Sequence, residues 1–237
     1  MKIIGRTHPG QVRPNNEDAF DYDVERGVAV LADGMGGLNA GEVASATAVA
    51  AILGELASAG ATSPDTVSAA IVAANRHVYE LAQKNRELRN MGTTVVVWAA
   101  LGAERFVVGH VGDSRAYRLN EHGMQALTRD HSVVQAMVDQ GLMSVEEARV
   151  ATNRNVITRA VGLENKVHVD VEEISHTSGD SYLLCSDGLT DMLDDAEIEA
   201  LWHRHRHASM EELAQHMVDA AVVAGGFDNV SVVLVRV

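Results

Sequence analysis

The sequence predicts an α+β fold, a central antiparallel β-sandwich flanked by helical layers in the order α-β-β-α. Three observations predict it. Strand-like and helix-like segments come in runs: strands, two helices, strands, two more helices, then a last strand. That order departs from the strict alternation of a doubly wound parallel sheet. The stretch from Met91 to Leu127 is a series of short apolar segments joined by turns such as Leu101-Gly102-Ala103 and Glu121-His122-Gly123, the pattern of hairpins. Finally, Asp33, Asp113 and Asp187 stand beside glycine at the end of apolar runs, and Asp228 stands at the start of one. Four such aspartates spread over the whole chain make poor sense as independent turns and good sense as one site.

The elements follow in order. Residues 1 to 8 and 18 to 33 read as strands, separated by the polar segment Gly10 to Asp18 that holds Arg13, Glu17 and Asp18. The run Val28-Ala29-Val30-Leu31-Ala32-Asp33-Gly34 is apolar without alternation, as a strand buried on both faces would be, and delivers Asp33 to its rim. Ala40 to Gly60 places Val49, Ile52, Leu53 and Leu56 on one helical face. Ser63 followed by Pro64 starts a second helix, striped by Val67, Ile71, Ala74, Val78 and Leu81. Strands are expected over Thr93 to Leu101, Arg105 to Val111, Arg115 to Leu119 and Gln125 to Leu127. Short helices are expected over His131 to Gln140 and Ser144 to Arg149, the latter with a Ser144/Glu147 capping box. The polar stretch Ala151 to Asn155 interrupts the pattern and suggests a mobile flap. Lys166 to Ser175 and Ser181 to Ser186 read as strands. Helices over Asp195 to Arg206 and Met210 to Ala224 precede the final strand.

Composition narrows the function. The 237 residues are 46% hydrophobic with only three prolines and no evident linker, so one domain over 1–237 is expected. The single cysteine, Cys185, cannot form an internal disulfide, and Met1 to Arg6 lacks the apolar core of a secretory signal. The longest wholly apolar run, Val95 to Leu101, is too short to cross a bilayer. These features predict a cytoplasmic protein with no membrane partner, and no coiled-coil repeat or large apolar stripe argues against a monomer. A net charge of −14 repels nucleic-acid phosphates, and basic, aromatic-interleaved stretches are missing, which counts against a nuclease.

The chemistry follows from the acids. Aspartates offer hard oxygen ligands suited to Mn²⁺ or Mg²⁺. Four that converge repel one another unless two or three such ions are present. Paired ions lower the pKa of a shared water and stabilise the entering and leaving oxygens of a displacement at phosphorus, so the nucleophile would be hydroxide. Arg13 supplies what that site needs next, a guanidinium able to grip two phosphate oxygens. Glu17 and Asp18 would hold metal-bound waters from one layer further out.

The motifs Arg13…Asn16-Glu17-Asp18, Asp33-Gly34-Met35-Gly36-Gly37, Gly112-Asp113-Ser114-Arg115, Thr128-Arg129-Asp130-His131-Ser132, Arg154 to Gly162, Ser186-Asp187-Gly188-Leu189 and Asp228-Asn229-Val230-Ser231 together resemble bacterial serine/threonine protein phosphatases of the metal-dependent type 2C (PPM) class. The resemblance implies hydrolysis of phosphoserine and phosphothreonine on protein substrates, with a Ser/Thr protein kinase or its targets among them. It implies that Asp33 bridges two metals, that the Gly34 carbonyl ligates one, and that Asp187 and Asp228 complete the other. By the same resemblance Asp113 and Asp187 hold a third, looser ion, Arg13 binds phosphate, and Gly141 to Arg159 form a flap. Departures fall at Met35 and Leu38, where relatives carry histidine, and at Thr152-Asn153, which replaces a His-Pro pair. They put the leaving-group proton donor in question.

Other readings compete at single residues. Cys185 lacks the downstream arginine of a cysteine phosphatase and reads as a buried strand thiol. Asp21-Tyr22-Asp23-Val24 reads as a surface turn rather than an aspartyl nucleophile motif. His203, His205 and His207 read as a solvated helix end. A phosphoprotein-binding module without activity would have lost a metal ligand, and none is missing.

Overall fold

The computed structural model describes residues 1–37, 40–177 and 179–237. Among them the strands are β1 (Lys2–His8), β2 (Asp18–Asp23), β3 (Val28–Met35), β4 (Gly92–Thr93), β5 (Val95–Leu101), β6 (Arg105–Val111), β7 (Arg115–Asn120), β8 (Gly123–Ala126), β9 (Asp170–Ser175), β10 (Ser181–Cys185) and β11 (Val230–Arg236). The helices are α1 (Ala40–Ser58), α2 (Pro64–Lys84), α3 (Val133–Asp139), α4 (Val145–Val150), α5 (Asp187–Thr190), α6 (Asp195–His205) and α7 (Met210–Val223). One sheet runs β1-β11-β10-β7-β8 and the other β2-β3-β5-β6-β9, with β4 against β3, and every pairing is antiparallel.

Three apolar clusters make the four layers. Strand alternation sends Val28, Val30 and Ala32 of β3 towards α1 and α2, and Ala29 and Leu31 into the space between the sheets. In β11 Val230, Val232 and Leu234 face α6 and α7, while Val233 and Val235 face the other sheet. The inter-sheet layer is centred on Trp98, Phe106 and Tyr182, with ring centroids 4.4–5.5 Å apart. Strands buried on both faces explain why β3, β5 and β11 read as apolar runs. α1 has the length and mean hydropathy, 1.3, of a membrane span, but its apolar residues Ala44, Ala48, Ile52 and Leu56 are buried in the core.

The helix ends follow the local signals: Ser63, Ser144 and Ser209 each accept from a backbone N–H at the third helical position. The expected α+β sandwich is the fold observed, with four corrections. Residues 18 to 33 form a hairpin rather than one strand, because Gly27, at φ +66°, lets the chain reverse between β2 and β3. Asp21 and Tyr22 consequently lie within β2, paired with Val30 and Ala29, and not in a turn. The strand expected from Lys166 begins only at Asp170, opposite His110, because its partner β6 turns away at Gly112, where φ is +105°. The short helix α5, directly after β10, was not expected.

Candidate functional site

Antiparallel pairing gathers the acids at one end of the sandwich. β10 ends where its neighbour β11 begins, which places Asp187, two residues after Cys185, beside Asp228, two residues before Val230. In the other sheet Asp18, at the start of β2, is directly opposite Asp33 in β3. Asp113 follows β6, whose last residue pairs with the first of β5. One cavity of about 240 Å³ is lined by Arg13, Glu17, Asp33, Gly34, Asp113, Asp187 and Asp228, together with Met35, Gly36, Thr94, Asn155, Ile157 and Asn229. Every expected site residue except Asp18 lines it. Asp18 lies just behind, its Oδ2 accepting from the Ser186 hydroxyl at 2.8 Å while its buried Oδ1 has no hydrogen-bond partner.

Backbone geometry at Gly34 admits no side chain. A Cβ there would stand 2.2 Å from the Gly41 carbonyl oxygen and 2.5 Å from that of Glu17, to which the Gly34 N–H donates at 3.1 Å. Buried hydroxyls hold the strand ends in place. The Asp33 N–H donates to Thr94 Oγ1 at 3.1 Å, and that oxygen is 2.7 Å from Ser114 Oγ, next to Asp113. On the other sheet Ser186 Oγ accepts from the Ser231 N–H at 2.9 Å. The separation of Asp33 from Asp113, and of Asp187 from Asp228, is therefore set by groups with no water to compete for them.

The electrostatics are those of crowded acids. Burial first, and then the charges of Asp18, Asp187, Asp113 and Asp228, hold Asp33 well above the ordinary carboxylate range. Burial with Asp113, Asp191 and Asp228 does the same to Asp187. Burial pushes Asp18 up to about 6, and burial with Asp130 pushes Asp113 up to about 7. Glu17 is raised, chiefly by burial. Arg13 donates to Asp228 Oδ2 at 2.6 Å, which raises the guanidinium pKa further. Carboxylates so arranged hold protons unless cations balance them.

The chain matches the family model "Protein phosphatase 2C" over residues 4–222. It belongs to that family. It is 36% identical over 239 residues to the serine/threonine phosphatase stp of Listeria monocytogenes, covering 98% of this chain and 94% of that one. Its structure is similar to that of the serine/threonine phosphatase Stp1 from Staphylococcus aureus, with a TM-score of 0.92 and 32% identity over 100% of this chain and 94% of the other. It is similar as well to the catalytic domain of the serine threonine protein phosphatase PstP in complex with two manganese ions, with a TM-score of 0.88 and 33% identity over 98% and 96% of the two chains.

Within this phosphatase 2C frame the expected departures separate. Met35 lines the cavity. Leu38 lies outside the described residues. Thr152 and Asn153 do not line the cavity; Asn155 and Ile157 from the same segment do. Asn155 Nδ2 donates to Asp191 Oδ2 at 3.0 Å, and Arg154 Nε is 3.4 Å from the same oxygen. A second groove, about 500 Å³, adjoins the cavity through Asp113, Asn155 and Asp187 and continues under α4 past Asp191 and Asp194. Sequence reasoning assigned no role to Asn155, Asp191, Thr94, Ser114 or Asn229. Asn229 and Ser114 had a visible signal, their places directly after Asp228 and Asp113.

The remaining candidates settle as structural. Cys185 is fully buried, and burial pushes its thiol up to about 12, too high for a nucleophile. His203 lies 3.5 Å from Glu199, and the His205 ring packs tilted against His216 with centroids 4.1 Å apart. Among the described residues only His110, His131 and Asp170 bring three ligand-type atoms within 4.8 Å of one another. Arg159 Nη1 stands 3.1 Å from His131 Nε2 and 2.7 Å from Asp170 Oδ1, so a cation already sits there.

Proposed function

We propose that this chain hydrolyses phosphoserine and phosphothreonine in proteins, in a metal-dependent reaction at the acidic cavity, with residues 1–237 acting as one catalytic unit and 141–159 as its flap. The observation that carries the reading is the convergence of Asp33, Asp113, Asp187 and Asp228 on a single cavity rimmed by Arg13. The donor set fits hard divalent cations: its side-chain ligands are carboxylates, and the orphaned Oδ1 of buried Asp18 stands ready for an ordered water beside them. Asp33, the Gly34 carbonyl, Asp187 and Asp228 would hold two ions, Mn²⁺ or Mg²⁺, and Asp113 with Asp187 a third. Ions held there supply a nucleophile from water at neutral pH and neutralise charge on the transferring phosphoryl group.

The chain's own residues do the rest. Arg13 turns its guanidinium from Asp228 to two phosphate oxygens of the substrate and so fixes the angle of attack. Glu17 and Asp18 accept hydrogen bonds from waters in the cavity and hold them in place. The leaving-group proton comes from water, because the Met35 thioether carries none. The substrates are phosphoproteins, including a Ser/Thr protein kinase or its targets, met in the cytoplasm by a monomeric enzyme.

Phosphate release from a phosphothreonine peptide tests this, with and without Mn²⁺, for the parent, Asp187→Asn and Arg13→Ala. Asp187→Asn loses activity by at least ~100-fold, the scale of removing one preorganised electrostatic group. Arg13→Ala raises KM. Undiminished turnover in chelator would refute the metal mechanism.

A further inference from the structure

We propose that Asn229 is a positioning residue for Arg13, a buried carboxamide that pinches shut the loop on which the phosphate-gripping arginine rides. The inference rests on the reading of Arg13 given above. The segment between β1 and β2 contains no helix or strand, and the Arg13 side chain is 53% exposed, so packing does not fix it. Asn229, 5% exposed, reaches under this segment. Its Nδ2 donates to the Pro9 carbonyl at 3.0 Å and to the Asn15 carbonyl at 2.9 Å, while its Oδ1 accepts from the Glu17 N–H at 2.8 Å. One nitrogen thus bridges the two ends of the loop, and those carbonyls can lie no further apart than the two bonds together allow. Pro14 holds Arg13 in an extended backbone from the other side.

The same residue is anchored to the metal-ligating edge. Its N–H donates to Asp228 Oδ1 at 2.8 Å, and its carbonyl packs so closely on Gly188 that a Cβ there would fall 1.9 Å away. Asn229 therefore ties the position of Arg13 to that of Asp187 and Asp228. Neither aspartate nor an apolar side chain at this position does the same. The site needs two N–H donors and an acceptor from one planar group; aspartate would set a third oxygen against two carbonyls, and an apolar residue would leave three backbone groups without their side-chain partner. A weaker, exposed tie supports the outer side of the loop, where Gln11 N–H donates to the Gly226 carbonyl at 2.7 Å and Gln11 Nε2 to the Val222 carbonyl at 2.6 Å. Binding a phosphate to a loop already closed avoids the cost of ordering it at that moment.

The test is steady-state kinetics on a phosphothreonine peptide, with inorganic phosphate as product inhibitor and Mn²⁺ affinity by calorimetry. Asn229→Ala should raise KM and the phosphate inhibition constant about tenfold, with a smaller fall in kcat, as loss of binding shared by ground and transition states does. Introduced into Arg13→Ala, the same change should move KM less than about twofold, since coupled residues are non-additive. Mn²⁺ affinity should stay within about threefold in the same cycle. Gln11→Ala, at an exposed position, should act in the same direction by about twofold without lowering Tm, and carries the test if Asn229→Ala fails to fold. A role in folding alone would lower Tm and kcat with KM unchanged, and that result overturns the inference. So does an Asn229→Ala effect undiminished in the Arg13→Ala background, or one explained by lost Mn²⁺ affinity. A raised KM in Arg13→Ala with parent-like values in both other variants overturns the inference alone. A parent-like KM in Arg13→Ala overturns the reading of Arg13 as well.

Discussion

The two rims of the acidic cavity are held by different kinds of bond. On the Arg13 side the ties run to buried side chains: Asn229 and Ser186 are 5% exposed or less, and their hydrogen bonds are at least partly shielded from water. On the side of residues 141–155 the side-chain ties are more exposed, while residues 156–158 are held by backbone hydrogen bonds to His131 and Val133. Arg154 meets Asp191 at 3.4 Å, and Arg149 meets Asp194 at 3.6 Å, with Arg149 48% exposed. The flap also presents Leu142, Val145 and Val150 to solvent rather than packing them. A buried polar group left unpaired costs about 1–3 kcal/mol, whereas an exposed ion pair contributes about 0–1 kcal/mol. The difference teaches that the Arg13 rim is built to stay, and the rim formed by residues 141–155 is built to give way.

The largest effect should come from breaking the rigid rim at its tightest contact. Gly188→Ala forces a methyl against the Asn229 carbonyl, 1.9 Å from the ideal Cβ position, and should cost about 2–4 kcal/mol of stability, read as a fall in the denaturant midpoint. A midpoint equal to the parent's would mean that the rim yields as easily as the flap.

An intermediate effect concerns the floor that both rims share. Asp18 and Asp113 are pushed up to about 6 and about 7, above the usual carboxylate values of an unfolded chain. Between pH 4 and 7 the folded state therefore binds more protons than the unfolded one, and its stability falls as pH rises through that window. In chelator, Tm should drop from pH 4 towards pH 7. Adding Mn²⁺ at pH 7 should restore it, because a cation favours the ionised form. A Tm independent of pH in chelator would contradict the crowding of these acids.

The smallest change should come from Arg149→Ala with Arg154→Ala. Stability should shift by less than about 1 kcal/mol, while backbone hydrogen exchange and proteolysis within residues 141–159 accelerate. Unaltered exchange would show that the ion pairs do not hold the flap down.

The sequence made some of this legible. Ser63, Ser144 and Ser209 marked helix starts, because a cap is a contact between residues three apart. The aspartates were visible because strand ends are marked by glycine and an abrupt loss of hydrophobicity. Asp18 was named, yet its direct pairing opposite Asp33 was not foreseen, since the reversal at Gly27 was read through as continuous strand. The turn assigned to Asp21 and the early start of β9 failed for a related reason: β strands exist only where a partner runs beside them.

What the sequence by itself determined is the order and boundaries of most elements, the apolar faces that stack into four layers, and the acids and arginine available for chemistry. Those signals act over a few residues. Only the tertiary structure decided that Asn229 closes a loop more than 200 residues earlier in the chain, that Thr94 is hydrogen-bonded to both the Asp33 strand end and Ser114, and that Arg159 contacts both His131 and Asp170. Such roles arise from sheet register and chain reversal, which bring distant polar groups into places without water, where each must find its partner in the protein.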